Sequence, residues 1–91
     1  MLNKAKYMSQ SKKLKARLLL CPADFSWQEL QKLLGALGYT EYQAGKTSGS
    51  RVKYFHENFE PMMLHKPHPK PVLKRYQIRQ IIDTLKERGQ L

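Results

Sequence analysis

The apolar positions of the chain change period twice, and each change marks a new kind of element. From about Ser11 onward Leu14, Leu18 and Leu19 recur at helical spacing, which predicts a short helix with one apolar stripe. The stretch from Met1 to Gln10 lacks such a stripe and is expected to fray. The second helix is signed at both ends. Ser26 and Glu29 have the S-x-x-E spacing of a capping box, with Phe25 and Leu30 placed as a hydrophobic staple around it. Leu30, Leu33, Leu34 and Leu37 then repeat at i, i+3, i+4 and i+7, and Gly38 follows as a left-handed C-terminal cap.

Beyond Gly38 the period becomes two. Tyr39 to Gln43, Val52 to His56 and Met62 to Lys66 read as strands, separated by a glycine-serine loop and by a turn over residues 57–61. Connections this short predict an antiparallel meander. In the second strand Val52, Tyr54 and His56 point one way, and Arg51, Lys53 and Phe55 the other. The helical period returns from Leu73 to Arg88, where Ile78, Ile81, Ile82 and Leu85 form one face and Gly89 the stop. Between the third strand and this helix lies "LHKPHPKP", whose prolines exclude helix and central strand and leave a stiff connector. The fold class that results is α+β, in the order α-β-β-β-α. Two helices pack on one face of a three-stranded antiparallel sheet, preceded by a short basic N-terminal helix. Residues 1–24 form the leader and residues 25–91 the domain.

Ninety-one residues allow one small domain, so a surface site is expected rather than a deep one. The 17 lysines and arginines outnumber the 7 acids, for a net charge of +10. That excess repels itself in the folded state and suits a polyanionic partner. No apolar run approaches the roughly 20 residues of a membrane span, and the longest, Leu18 to Cys21, lacks the length of a signal peptide. A cytoplasmic protein with no membrane partner is the expectation. The lone Cys21 fits it, as a buried spacer continuing the leucine run.

Phosphate chemistry concentrates in "GKTSGSRVKYFH", residues 45 to 56. Gly45, Ser48, Gly49 and Ser50 offer hydroxyls and close backbone approach, and Lys46, Arg51 and Lys53 surround them with positive charge. Arginine's fork can hold phosphate oxygens bidentately. The alternative for Arg51 and Lys53 is a solvated, charged sheet face.

The order of elements, with basic loops at one end, resembles the double-stranded RNA-binding domain fold. "FSWQELQKLLGALGY", "GKTSGSRVKYFH", "LHKPHP" and "LKRYQIRQIIDTLKERG" together resemble the successive segments of the HicA family, small toxins of bacterial toxin-antitoxin pairs, over roughly residues 25 to 89. The resemblance implies cleavage of messenger RNA, silenced by a HicB-type antitoxin that covers the active surface. It also implies a catalytic histidine just after the glycine-serine pair. Here Arg51-Val52 follows Gly49-Ser50 instead. What carries over is the glycine-serine turn and the Pro67-His68-Pro69 segment.

Cleavage of RNA through its own 2′-hydroxyl needs a base, a proton donor for the departing 5′ oxygen, and cations near the phosphorane. Histidine suits the first two because its unperturbed pKa is about 6.5. The chain has three histidines, His56, His65 and His68. His65 and His68 straddle Lys66 on the connector and are the candidate catalytic pair. All three could converge on one phosphate, with Lys46, Ser48, Ser50, Arg51, Lys53 and Lys66 as RNA-binding residues. Sheet pairing for His65, a turn hydrogen bond for His68, and packing or a backbone hydrogen bond for His56 are the structural alternatives. No metal ion or cofactor is implied, since no cysteine or carboxylate cluster completes a ligand set. Two functional classes stand together: a ribonuclease toxin held by its antitoxin, and a non-catalytic RNA-binding module of the same fold.

Overall fold

The computed structural model describes the backbone of residues 2–42 and 51–91, and the side chains of residues 10–42 and 51–91. Three helices, α1 (Leu2–Leu19), α2 (Trp27–Ala36) and α3 (Arg75–Glu87), accompany the strands β1 (Thr40–Tyr42), β2 (Arg51–Phe55) and β3 (Met62–His65). The sheet is an antiparallel meander in the order β1-β2-β3. Thr40 faces Phe55 and Tyr42 faces Lys53 across the first pair, and Arg51 faces His65 and Tyr54 faces Met62 across the second.

The local signals act as the sequence predicts. Ser26 Oγ accepts from the Glu29 amide at 3.1 Å, and Glu29 Oε1 accepts from the Ser26 amide at 3.0 Å, which closes the capping box. At the other end of α2 Gly38 has φ of +97°, the Gly38 amide donates to Gly35 O and the Tyr39 amide to Leu34 O. That is the Schellman pattern, and α3 repeats it with Gly89 at φ of +70° and Gln90 donating to Leu85 O. Tyr39 therefore belongs to the cap of α2, and β1 begins one residue later than alternation predicts.

The core forms where the helical and strand faces meet. Leu30, Leu33 and Leu34 of α2 and Ile78, Ile81 and Leu85 of α3 are buried against Val52 and Tyr54. The Trp27 ring lies 6.2 Å from that of Tyr54. Each such aliphatic side chain contributes roughly 1.5–3 kcal/mol on burial, so α2 and α3 are held by their apolar stripes.

Four further expectations change. The N-terminal helix is not short: it runs from Leu2, so the stretch expected to fray is helical. Its apolar stripe is narrower than expected, because Leu18 is fully buried while Leu19 and Leu20 are exposed. The chain must reverse there to start α2, and Cys21 takes φ of +49° and is only half-buried, not a core spacer. Finally, α3 starts at Arg75 rather than Leu73. Val72 bridges Ser26, the Leu73 amide donates to Phe25 O at 2.8 Å, and the Trp27 amide donates to Pro71 O at 2.8 Å. These bonds hold 71–73 extended and pin the connector to the start of α2.

Arg17 closes the same corner from α1. Its guanidinium grips Glu29 with two hydrogen bonds, Nε to Oε2 at 2.9 Å and Nη2 to Oε1 at 3.0 Å, and it lies over the Phe25 ring. The hydrogen bond from Arg17 holds the Glu29 carboxyl below its ordinary pKa, with the Ser26 amide adding to the effect and burial opposing it. No helix among the described residues is long and apolar enough to cross a membrane.

Candidate functional site

The antiparallel register decides which candidate residues meet. Arg51, the first residue of β2, lies directly opposite His65, the last of β3. Both are exposed on the sheet face turned away from the helices, since Val52 and Tyr54 point into the core. Directly opposed residues hold their Cβ atoms about 4.5–5.5 Å apart, so a guanidinium and an imidazole can engage one anion there. Lys53 is half-buried one row further along the same face, and Lys66, also half-buried, follows His65. Lys46, Ser48 and Ser50 lie outside the described residues.

One side chain ties this end of the sheet to α3. Gln77 Nε2 donates to His65 O at 2.9 Å, and Gln77 Oε1 accepts from the Lys74 amide at 3.1 Å. The N-cap residue of α3 is Lys74, whose ammonium can donate but not accept, and it makes no side-chain cap. The first turn of α3 thus keeps backbone donors and the positive end of the helix dipole for an anion. Beside it lies a cleft of about 530 Å³ lined by His68, Lys70, Lys74 and Arg75 together with Ala23, Pro67 and Leu73. His68 is exposed in this cleft, while His65 stands on the sheet face.

His56 does not join them. It follows β2 at the end remote from Arg51, about 17 Å along the strand at 3.3–3.4 Å per residue. Its Nδ1 accepts from the Asn58 amide at 3.0 Å, which leaves Nε2 as the protonated nitrogen donating to Leu37 O at 3.1 Å. The ring packs 4.9 Å from Tyr39 and 4.8 Å from Phe59. Both nitrogens are occupied in fold contacts. His56 therefore takes its structural alternative and drops out of the expected convergence of three histidines, which leaves His65 and His68 as the candidates. Counting outward symmetrically from residues 57–61 would pair His56 with Met62 and Lys53 with His65; the observed register pairs Tyr54 with Met62 instead, and that shift sets His65 opposite Arg51.

Sequence reasoning also missed Gln77, because its role depends on β3 ending beside α3. It missed the composition of the outer sheet face too, where Tyr42, Phe55 and Met63 are exposed beside Arg51, Lys53 and His65. Among the described residues no group of three His, Cys, Asp or Glu side chains could hold a metal ion. A larger groove, about 930 Å³, lies between α1 and α2 around the Arg17–Glu29 pair, and no histidine is among its described lining residues.

A family model described as HicA toxin of bacterial toxin-antitoxin matches residues 27–89, well over half of the chain. The match takes in α2, the sheet, the connector and α3, and leaves α1 outside. No curated protein and no solved structure matches the chain.

Proposed function

We propose that this chain, which belongs to the HicA family of toxins of bacterial toxin-antitoxin pairs, binds and cleaves messenger RNA and is silenced by a HicB-type antitoxin. Its membership makes it a toxin whose partner is an antitoxin; the reaction and the kind of antitoxin are the proposal. The observation that carries it is the pairing of Arg51 with His65. Where the family resemblance implies a histidine after Gly49-Ser50, this chain has Arg51, and an imidazole stands across the strand pair instead.

The chemistry follows from these groups. One histidine of the His65 and His68 pair removes the 2′-hydroxyl proton. The 2′ oxygen attacks phosphorus as the bond to the 5′ oxygen breaks, and the other histidine protonates that leaving oxygen. The products are a 2′,3′-cyclic phosphate and a 5′-hydroxyl. Arg51 and Lys66 offset the charge that builds on the phosphate oxygens. Lys53, Lys70, Lys74 and Arg75 hold the flanking backbone, with Lys46, Ser48 and Ser50 assigned to the same phosphate grip.

His68→Ala should lower cleavage of a model transcript by about 100-fold or more, as expected on losing a positioned proton-transfer group, and should abolish growth arrest on expression without the partner. Fully active His65 and His68 variants, singly and together, would sink the assignment. A second reading, the non-catalytic RNA-binding module, draws on the same Arg51 substitution. It wins if the wild-type chain is harmless and leaves RNA whole.

A further inference from the structure

The outer sheet face contains more than the proposed catalytic end requires. Across the three strands Tyr42, Lys53 and Met63 form one row. Phe55 sits in the next row, with its ring centroid 6.0 Å from that of Tyr42 and the planes at 71°. Tyr42 is 54% exposed, Phe55 41% and Met63 46%. Arg51 and His65 form the row on the other side of Lys53. Large apolar side chains left in water beside one another mark a surface that another molecule covers. On this face they are interleaved with cations, and no strand residue of the outer face among those described is acidic.

We infer that this face is a stacking platform for single-stranded RNA: bases lie on Tyr42 and Phe55, Lys53 and Arg51 take the phosphates, and the strand is led along the rows to His65. The inference rests on the RNA-cleaving reading above and adds the form of the substrate. Aromatic side chains can stack only on bases that are unpaired and splayed from a helix; a duplex offers them phosphates and 2′-hydroxyls instead. Stacking tolerates any base because every base has a π face, so this platform confers strand selectivity with little sequence selectivity. Charge complementarity favours this occupant, since cations alternate with the rings and the chain carries a net charge of +10.

The test compares binding of a labelled oligouridine and of a mixed-sequence RNA duplex of equal length to the purified full chain across a salt series. Tyr42→Ala and Phe55→Ala should each weaken oligouridine binding on the order of tenfold, within the range for losing one stacked base. Both should keep the salt slope, because neither removes a charge, and Tyr42→Phe should bind as the wild type does. Lys53→Ala should reduce the slope by roughly 0.7, the share of one phosphate contact with a single strand. Duplex binding should be the same in wild type, Tyr42→Ala and Phe55→Ala. Equal oligouridine affinity in wild type and folded alanine variants overturns the platform. So does unchanged RNA affinity with lost antitoxin binding, which would make the face a protein-docking surface. If the wild type binds oligouridine through these rings but leaves RNA uncut, the cleavage reading falls and the platform stands; if RNA is cut equally well by wild type and both alanine variants, the platform falls alone.

Discussion

His56→Ala is expected to cost stability and leave chemistry untouched, the opposite of what a catalytic histidine would show. The imidazole makes two hydrogen bonds to backbone. The one to Leu37 O is half-buried and is assigned about 1 kcal/mol net, and that carbonyl keeps a second donor in Gln90 Nε2 at 3.1 Å, so it is not stranded. The one from the Asn58 amide is exposed and can be replaced by water, so it is assigned about half as much. The ring contacts with Tyr39 and Phe59 add about 1 kcal/mol. The sum is about 2–3 kcal/mol, or a fall in melting temperature of roughly 10–20 °C for a domain of this size. Gly38 offers an independent check. A Cβ there would sit 2.9 Å from His56 Nε2, on backbone at φ of +97° that already disfavours any side chain. Gly38→Ala should therefore cost less in the His56→Ala background, where only the left-handed strain of at least about 1 kcal/mol remains. Thermal unfolding of the four proteins, with RNA cleavage measured below all four transitions, decides it. An unchanged melting temperature for His56→Ala, or a hundredfold loss of cleavage in the folded variant, would refute the reasoning.

Three further outcomes are expected. Because Arg17 lowers the Glu29 pKa in the folded state, the pair stabilises the fold above the unfolded carboxylate value of about 4.3 and loses that contribution as pH falls through the lowered folded value; Glu29→Gln should melt below wild type at pH 7, and the gap should close in strong acid. Charge reversal at Arg51 and Lys66 together should weaken capture by the antitoxin in calorimetry, since the cations assigned to RNA are those an inhibitor of the same site must neutralise, and a complex of unchanged affinity would place the inhibitor elsewhere. Arg51→His should recover part of the cleavage lost in His65→Ala when turnover of a labelled RNA is followed, whereas no recovery would mean that the two positions do not serve one phosphate.

What the sequence made legible was local or periodic. The capping box at Ser26 and Glu29, the glycine caps at Gly38 and Gly89, and the buried face of α3 each rest on residues within one or two turns of one another. The meander was legible because few residues separate its strands in the sequence. The bridge from Ser26 to Val72 and the hydrogen bond from Leu73 to Phe25 were not, because they join segments distant in sequence that have no alternation of their own. Those bonds nevertheless shape the cleft beside His68. Leu19 misled for a related reason: apolar character predicts burial only when the backbone continues in the same period, and α1 ends at Leu19.

Under the proposed function, strand register relocates a chemical role without relocating the site. Arginine is a poor exchange for a histidine on chemical grounds, because its guanidinium stays protonated and cannot act as a base. On β2 alone, Arg51 would remove proton transfer from the family's position. Its opposite neighbour on β3 is His65, however, and cross-strand neighbours share one volume above the sheet. On this reading the fixed charge and the titrating ring sit on adjacent strands over the same phosphate, with Arg51 stabilising the phosphorane and His65 moving the proton. Gln77 gives the arrangement its precision, since it anchors the His65 carbonyl to the first turn of α3 beside the cleft that holds His68. Under the same proposal the sheet end and the helix end act on one strand of RNA, one from above the face and the other from the connector.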